Sequence, residues 1–130
     1  MSLELVQLLL AVLLAFAHFT GYAVVANMEL GVDYTTGPRD APPDALSKRG
    51  KRLKRSYENY LETLPWFAIA VIVAHLAGKA DGWVHAFAWV YLTARIVYIP
   101  AYLSDIPYVR SAVWTVATTM ILLITLRAFL

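Results

Sequence analysis

The sequence predicts an all-α integral membrane protein, a bundle of four transmembrane helices. Of the 130 residues, 60% are hydrophobic and 15% are charged, whereas soluble domains average about 45–50% apolar and about 25% charged residues. The apolar residues fall into four stretches, each close to the ~20 residues that a bilayer-spanning helix needs. Seven of the eleven Lys and Arg residues lie between Arg39 and Arg55, so positive charge is concentrated between the first two stretches.

The apolar stretches define one predicted domain, residues 1–130. Its spans are expected at about residues 3–26, 56–78, 83–103 and 108–129, with a basic loop at about 27–55. Within that loop, Gly and Pro clusters argue against regular structure as far as residue 47.

Local signals refine the ends of the spans. From Lys48 onward the sequence predicts one long helix, which Pro65 could kink because an interior proline removes a backbone hydrogen bond. Ser104 and Asp105 are candidate N-caps for the last helix.

The basic segment also predicts the orientation of the chain. Short loops rich in Lys and Arg stay in the cytoplasm, so an even number of spans places both termini on the opposite face. Topology alone could explain four of these cations, namely Lys48, Arg49, Lys51 and Lys54.

Several functional classes lack the residues that they need. The chain has no cysteine, which excludes disulfides, thiol nucleophiles and Cys-type zinc sites. It shows no Gly-rich phosphate loop, metal-ligand cluster or Ser/His/Asp arrangement, and we expect no metal. A basic run beside a membrane meets lipid phosphates more often than nucleic acid, so no nucleic-acid partner is expected. The three histidines (His18, His75 and His85) lie on separate spans and are interpreted as structural or interfacial.

Polar side chains form two helical stripes and one short group at the basic end of the bundle. Spacings of three, four and three residues place the first stripe on one helix face: Arg52, Arg55, Asn59 and Glu62. Spacings of four, three and four do the same for the second: Tyr91, Arg95, Tyr98 and Tyr102. Arg110 and Ser111 open the last span beside them.

These side chains favour a small zwitterion as the ligand. Guanidinium forks pair well with carboxylates, and Glu62 could pair with an ammonium group. Structural interpretations stay open, because Arg55 and Glu62 could satisfy each other or a neighbouring helix. Tyr98 and Tyr102 could equally anchor the helix at the membrane interface.

Two segments resemble the MAPEG family, the membrane-associated proteins in eicosanoid and glutathione metabolism. Residues 55–67, RSYENYLETLPWF, resemble the family's second-helix signature RxxxNxxExxPxF. Residues 91–102, followed by Arg110 and Ser111, are similar to the third helix and the start of the fourth. The resemblance covers the whole four-helix layout.

The resemblance implies a homotrimer that binds glutathione, as co-substrate, between subunits near the cytoplasmic face. By position, Arg110 matches the arginine that stabilises the thiolate, and Ser111 is a nearby hydroxyl. The residues implied to bind glutathione are Arg52, Arg55, Asn59, Glu62, Arg95, Tyr98 and Tyr102.

The function implied by the resemblance is that of a glutathione transferase or peroxidase acting on lipophilic electrophiles. The first span contains no arginine, and Trp114 stands where some eicosanoid enzymes have tyrosine. Both departures favour a less specialised, bacterial-type member, placed in the inner membrane.

Two other functions stay open. A small proton-coupled multidrug transporter has a similar length, but it needs a carboxylate deep in a span, whereas Glu4 and Glu62 lie near span ends. A catalytically silent relative that binds lipid or a partner is the third possibility. Glutathione binding by the purified protein is the observation that separates these functions best.

Overall fold

The computed structural model describes residues 1–38 and 46–130, and this part of the chain is helical without strands. Its elements are α1 (Leu3–Leu30), α2 (Val32–Thr36), α3 (Lys48–Leu76), α4 (Gly82–Leu103) and α5 (Val109–Phe129). All of these except the short α2 are long and apolar enough to cross a membrane. The predicted fold class, an all-α membrane bundle of four long helices, is confirmed.

The segment after α1 differs from the predicted loop. α1 ends at Leu30 rather than at about residue 26, and α2 follows within the predicted loop. Gly31, with φ of 87°, separates the two helices, in a conformation that glycine adopts readily. Glu29 accepts hydrogen bonds from the backbone N and the Oγ of Ser47, at 2.9 and 2.5 Å. Residues 39–45 of the predicted loop, among them Arg39, lie outside the described residues.

α3 begins at the predicted residue because Ser47 caps it. The Ser47 Oγ accepts a hydrogen bond from the backbone N of Gly50 at 3.0 Å, which satisfies one of the amide groups left unpaired at a helix start. α3 then continues through Pro65 as one helix to Leu76.

The predicted N-caps of the last helix are wrong. Ser104 instead ends α4, where its backbone N donates to the carbonyl oxygen of Pro100 at 2.9 Å. Tyr108, with φ of 69°, is the residue that precedes α5. The chain reverses direction between these two residues, so helical hydrogen bonding starts only after the reversal.

The core forms where α3 meets the other three long helices, while α4 and α5 make the most extensive helix pair. Phe67 of α3 stacks on Tyr91 of α4 with ring centroids 4.1 Å apart. The buried Tyr60 hydroxyl donates to the Ala11 carbonyl oxygen of α1 at 2.5 Å. Large apolar side chains on the outer faces are exposed, among them Phe16, Trp66, Trp89 and Leu122. Such outer faces suit a bundle whose surroundings are lipid tails rather than water.

Charged contacts hold together the bundle end that carries the chain termini. The two carboxylate oxygens of Glu4 lie 2.7 Å from His75 Nδ1 and 2.8 Å from His85 Nε2. Asp81 accepts a hydrogen bond from Arg127 Nε at 2.9 Å, and this bond contributes most to a lowered pKa of the Asp81 carboxyl. His75 and His85 therefore share one partner, although they lie on separate helices.

At the opposite, basic end of the bundle, Asp105 pairs with two cations of α3. Its carboxylate lies 2.8 Å from an Arg52 nitrogen and 3.2 Å from Lys48 Nζ. The hydrogen bond from Arg52 is the main cause of a pKa below the ordinary value for this carboxyl. These pairs hold the start of α3 against the turn between α4 and α5, which is where the polar stripes end.

Candidate functional site

A polar cavity of about 390 Å³ lies between α3, α4 and α5 at the basic end of the bundle. This volume falls within the range of roughly 300–1,000 Å³ that is typical of small-molecule sites. The side chains that line it are Arg55, Glu58, Asn59, Glu62, Tyr98, Tyr102, Arg110, Ser111 and Trp114.

The structure brings most of the predicted site residues to this cavity. Arg55, Asn59 and Glu62 come from one face of α3, and Tyr98 and Tyr102 come from one face of α4. Because α5 turns back along α4, its first residues, Arg110 and Ser111, complete the wall.

Arg52 and Arg95 have different positions from the other predicted residues. Arg52 lines an adjoining cavity of about 300 Å³, which shares Arg55 and Arg110 with the first. Arg95 lines neither cavity and is completely buried in α4. Its Nη1 donates to the Oδ1 of Asn59 at 2.9 Å, from behind the cavity wall.

Two residues that line the cavity, Glu58 and Trp114, are not among the site residues predicted from the sequence. Glu58 lies three residues after Arg55 and four before Glu62, and Trp114 lies four residues after Arg110. Both spacings place the side chain on the face that already carries predicted site residues. Helical spacing alone is therefore a sufficient signal for placing both side chains on these faces.

Tyrosine rings connect the arginines around the cavity. The Arg110 guanidinium lies 5.0 Å from the Tyr102 ring centroid, and the Arg95 guanidinium lies 4.2 Å from that of Tyr98. The two rings meet edge to face with centroids 5.6 Å apart. Cations within about 6 Å of an aromatic ring face are attracted to it, so the α4 tyrosines help to fix where both charges lie.

The charges in the cavity are mixed, with two guanidinium groups and two carboxylates. Within the described residues, Arg55 and Glu62 do not form an ion pair with each other, so both can meet a ligand. Arg110 lies in the first turn of α5, where the helix dipole also favours an anion. The site can therefore hold a zwitterion with carboxylate groups and can stabilise a negative charge near Arg110. No group of three metal-ligating side chains occurs in residues 1–38 and 46–130.

Comparison with known proteins places the chain in a family. The model of the MAPEG family matches residues 7–130. Searches of curated proteins and of solved structures gave no match. Since the family match extends over nearly the whole four-helix chain, this protein belongs to the MAPEG family, the membrane-associated proteins in eicosanoid and glutathione metabolism.

Proposed function

We propose that this protein is a glutathione-dependent membrane enzyme, a transferase or peroxidase that acts on lipophilic electrophiles. The observation that supports it best is the cavity itself, in which three helices present the family's motif residues to one volume. Members of the family generally use glutathione. A small tripeptide with two carboxylates and one ammonium group suits the mixed charge of this cavity.

The α3 residues are proposed to hold glutathione by its ends. Arg55 pairs with a carboxylate, since a guanidinium fork matches the two carboxylate oxygens. Glu62 pairs with the ammonium group, and Asn59 contributes amide hydrogen bonds. Tyr98 and Tyr102 complete the contacts, while Arg52 would reach the ligand from the adjoining cavity.

Arg110 is proposed to stabilise the glutathione thiolate, with the Ser111 hydroxyl nearby. A thiol with a pKa of about 8.5 becomes a better nucleophile at neutral pH when a cation stabilises its anion. In transfer, the thiolate sulfur forms a bond to an electrophilic carbon while the leaving group departs with its bonding electron pair. In peroxidase chemistry, two glutathione molecules give a disulfide as a hydroperoxide becomes an alcohol and water.

The lipophilic substrate is proposed to enter from the bilayer. An apolar groove of about 360 Å³ runs between α4 and α5. Two of its residues, Val97 and Val113, directly precede the cavity residues Tyr98 and Trp114 in the sequence. A lipophilic substrate in this groove would lie against the same two helices that supply Tyr98 and Arg110 to the cavity.

Isothermal titration calorimetry on the purified protein in detergent tests the proposal. The wild type should bind glutathione, and Glu62→Gln and Arg55→Ala should each lose about tenfold or more in affinity, because each removes a charged hydrogen-bond partner worth roughly 1.5–3 kcal/mol. Lys51→Ala is the matched control, since Lys51 is an exposed cation of α3 that lines neither cavity. A wild-type protein that does not bind glutathione would refute the proposed function.

The proposed orientation places the basic end in the cytoplasm and both termini on the other face of a bacterial inner membrane. It is supported by the cations at the start of α3, because short basic segments remain cytoplasmic. Reporter fusions at the C-terminus provide the measurement. Activity of a cytoplasmic reporter at that position would show that the orientation is the reverse.

A further inference from the structure

Arg95 is the largest fully buried side chain of the described residues, with 0% of its surface exposed. A guanidinium stays protonated in proteins, so a full positive charge lies inside the bundle. No carboxylate in the described part of the chain lies within ion-pair distance of it. A buried charge without an ion pair is costly, which makes a purely space-filling role a poor explanation for this residue.

The contacts of Arg95 lead to the wall of the polar cavity. One is the hydrogen bond of 2.9 Å from Nη1 to the Oδ1 of Asn59. Another is the packing of the guanidinium against the ring of Tyr98, 4.2 Å from its centroid. Asn59 and Tyr98 both line the cavity, whereas Arg95 does not.

The hydrogen bond determines which way the Asn59 amide points. A guanidinium has five donors and no acceptor, so the Asn59 atom that faces it must be the oxygen. The Asn59 NH₂ group is then the end available to a ligand as a hydrogen-bond donor. With the opposite orientation, two donors would face each other and the carbonyl oxygen would be presented to the ligand instead.

We infer that Arg95 is a positioning residue, which acts through Asn59 and Tyr98 without touching the ligand. It orients the Asn59 amide as a donor toward a ligand carboxylate and fixes the Tyr98 ring from behind. This inference rests on the proposed function, because it assumes glutathione in the cavity. If this is so, Arg95 and Asn59 affect glutathione binding as one unit. Two residues that each touched glutathione would instead contribute separately.

A double-mutant cycle measures whether the two residues act together. Asn59→Ala and Arg95→Met should each weaken glutathione binding by about tenfold, and the double variant should lose little more than either single variant, since coupled residues are not additive. Arg95→Gln keeps a donor for the Asn59 oxygen and should recover part of the affinity. Losses that multiply in the double variant would mean that Arg95 does not act through Asn59, which would overturn the inference.

Asn59→Asp tests the same inference with Arg95 left in place. The new carboxylate can pair with Arg95, so the bundle should be at least as stable in thermal unfolding, yet the cavity loses its NH₂ donor. We expect a loss of affinity of about tenfold or more. Wild-type affinity in Asn59→Asp would overturn the inference while leaving the proposed function intact. Failure of the wild type to bind glutathione would instead refute the proposed function, and this inference with it.

Discussion

Arg110 is the residue on which the proposed chemistry depends most directly. It is the second residue of α5, it is exposed at the cavity, and its guanidinium packs on the Tyr102 ring. An arginine at this depth could also extend to lipid headgroups, as interfacial arginines do. The two roles differ in what the residue does to a bound thiol.

We expect Arg110→Ala to bind glutathione but to ionise it poorly. Loss of the cation should raise the pKa of the bound thiol and lower the turnover number by about one order of magnitude, since a factor of ten corresponds to ~1.4 kcal/mol of barrier. Ultraviolet titration of the thiolate, together with turnover of an activated aryl halide, provides the measurement.

Arg49→Ala is the matched control for Arg110→Ala. Arg49 is an exposed arginine of α3 that lines neither cavity, so its removal should leave the thiol pKa and the turnover number unchanged. If Arg110→Ala behaved in the same way, Arg110 would be a headgroup anchor and the catalytic assignment would be lost.

Among the helices, one side chain at the start of α1, Glu4, contacts both α3 and α4. Glu4 has 6% of its side chain exposed and lies within hydrogen-bond distance of both His75 and His85. Gln7, one turn later, donates to the carbonyl oxygen of His85 at 2.9 Å. These contacts lie at the opposite end of the bundle from the polar cavity, so their role can be tested without disturbing the site.

Glu4→Ala should therefore destabilise the bundle and leave glutathione binding intact. Two half-buried histidines lose their shared acceptor, and a typical hydrogen bond contributes about 0.5–1.5 kcal/mol to stability. Thermal unfolding in detergent should show a lower midpoint for Glu4→Ala. The exposed Asp33 of α2 provides a matched acidic control, and Asp33→Ala should unfold at the wild-type midpoint. Equal midpoints for both variants would show that the Glu4 contacts do not stabilise the bundle.

In the assembled bundle, the cavity is open on its outer surface. Arg55, Glu62 and Arg110 are all exposed in the single chain. Charged side chains at membrane depth usually face a partner helix or a water-filled cavity. The exposed charges therefore support the proposal of a homotrimer, in which a neighbouring subunit covers the site.

Mass measurement of the protein in detergent should give three chains per particle. The measurement needs a correction for bound detergent, for example from light scattering combined with absorbance. A monodisperse monomer or dimer would contradict the proposed trimer. Since the family resemblance implies a site between subunits, that result would also argue against an intersubunit site.

The fold class, and most of the side chains that line the cavity, follow from the sequence alone. Apolar stretches of membrane-spanning length predict four long helices because every backbone polar group in lipid must be satisfied within the segment. The stripes on α3 and α4 follow from the helical repeat, which is a property of neighbouring residues. The ends of the helices were less predictable. Whether Ser104 begins a helix or ends one depends on where the chain reverses, and the candidate caps do not carry that information.

The side chains that meet across helices depend on how the helices pack together. Arg95 belongs to the same stripe as Tyr98, yet it is buried behind the cavity while Tyr98 lines it. Glu4 and its histidine partners are separated by 71 and 81 residues along the chain. The helical repeat fixes directions around one axis, but the rotation and depth of one helix against another depend on how their side chains pack. Contacts such as these are therefore absent from any local pattern and appear only when the helices are assembled.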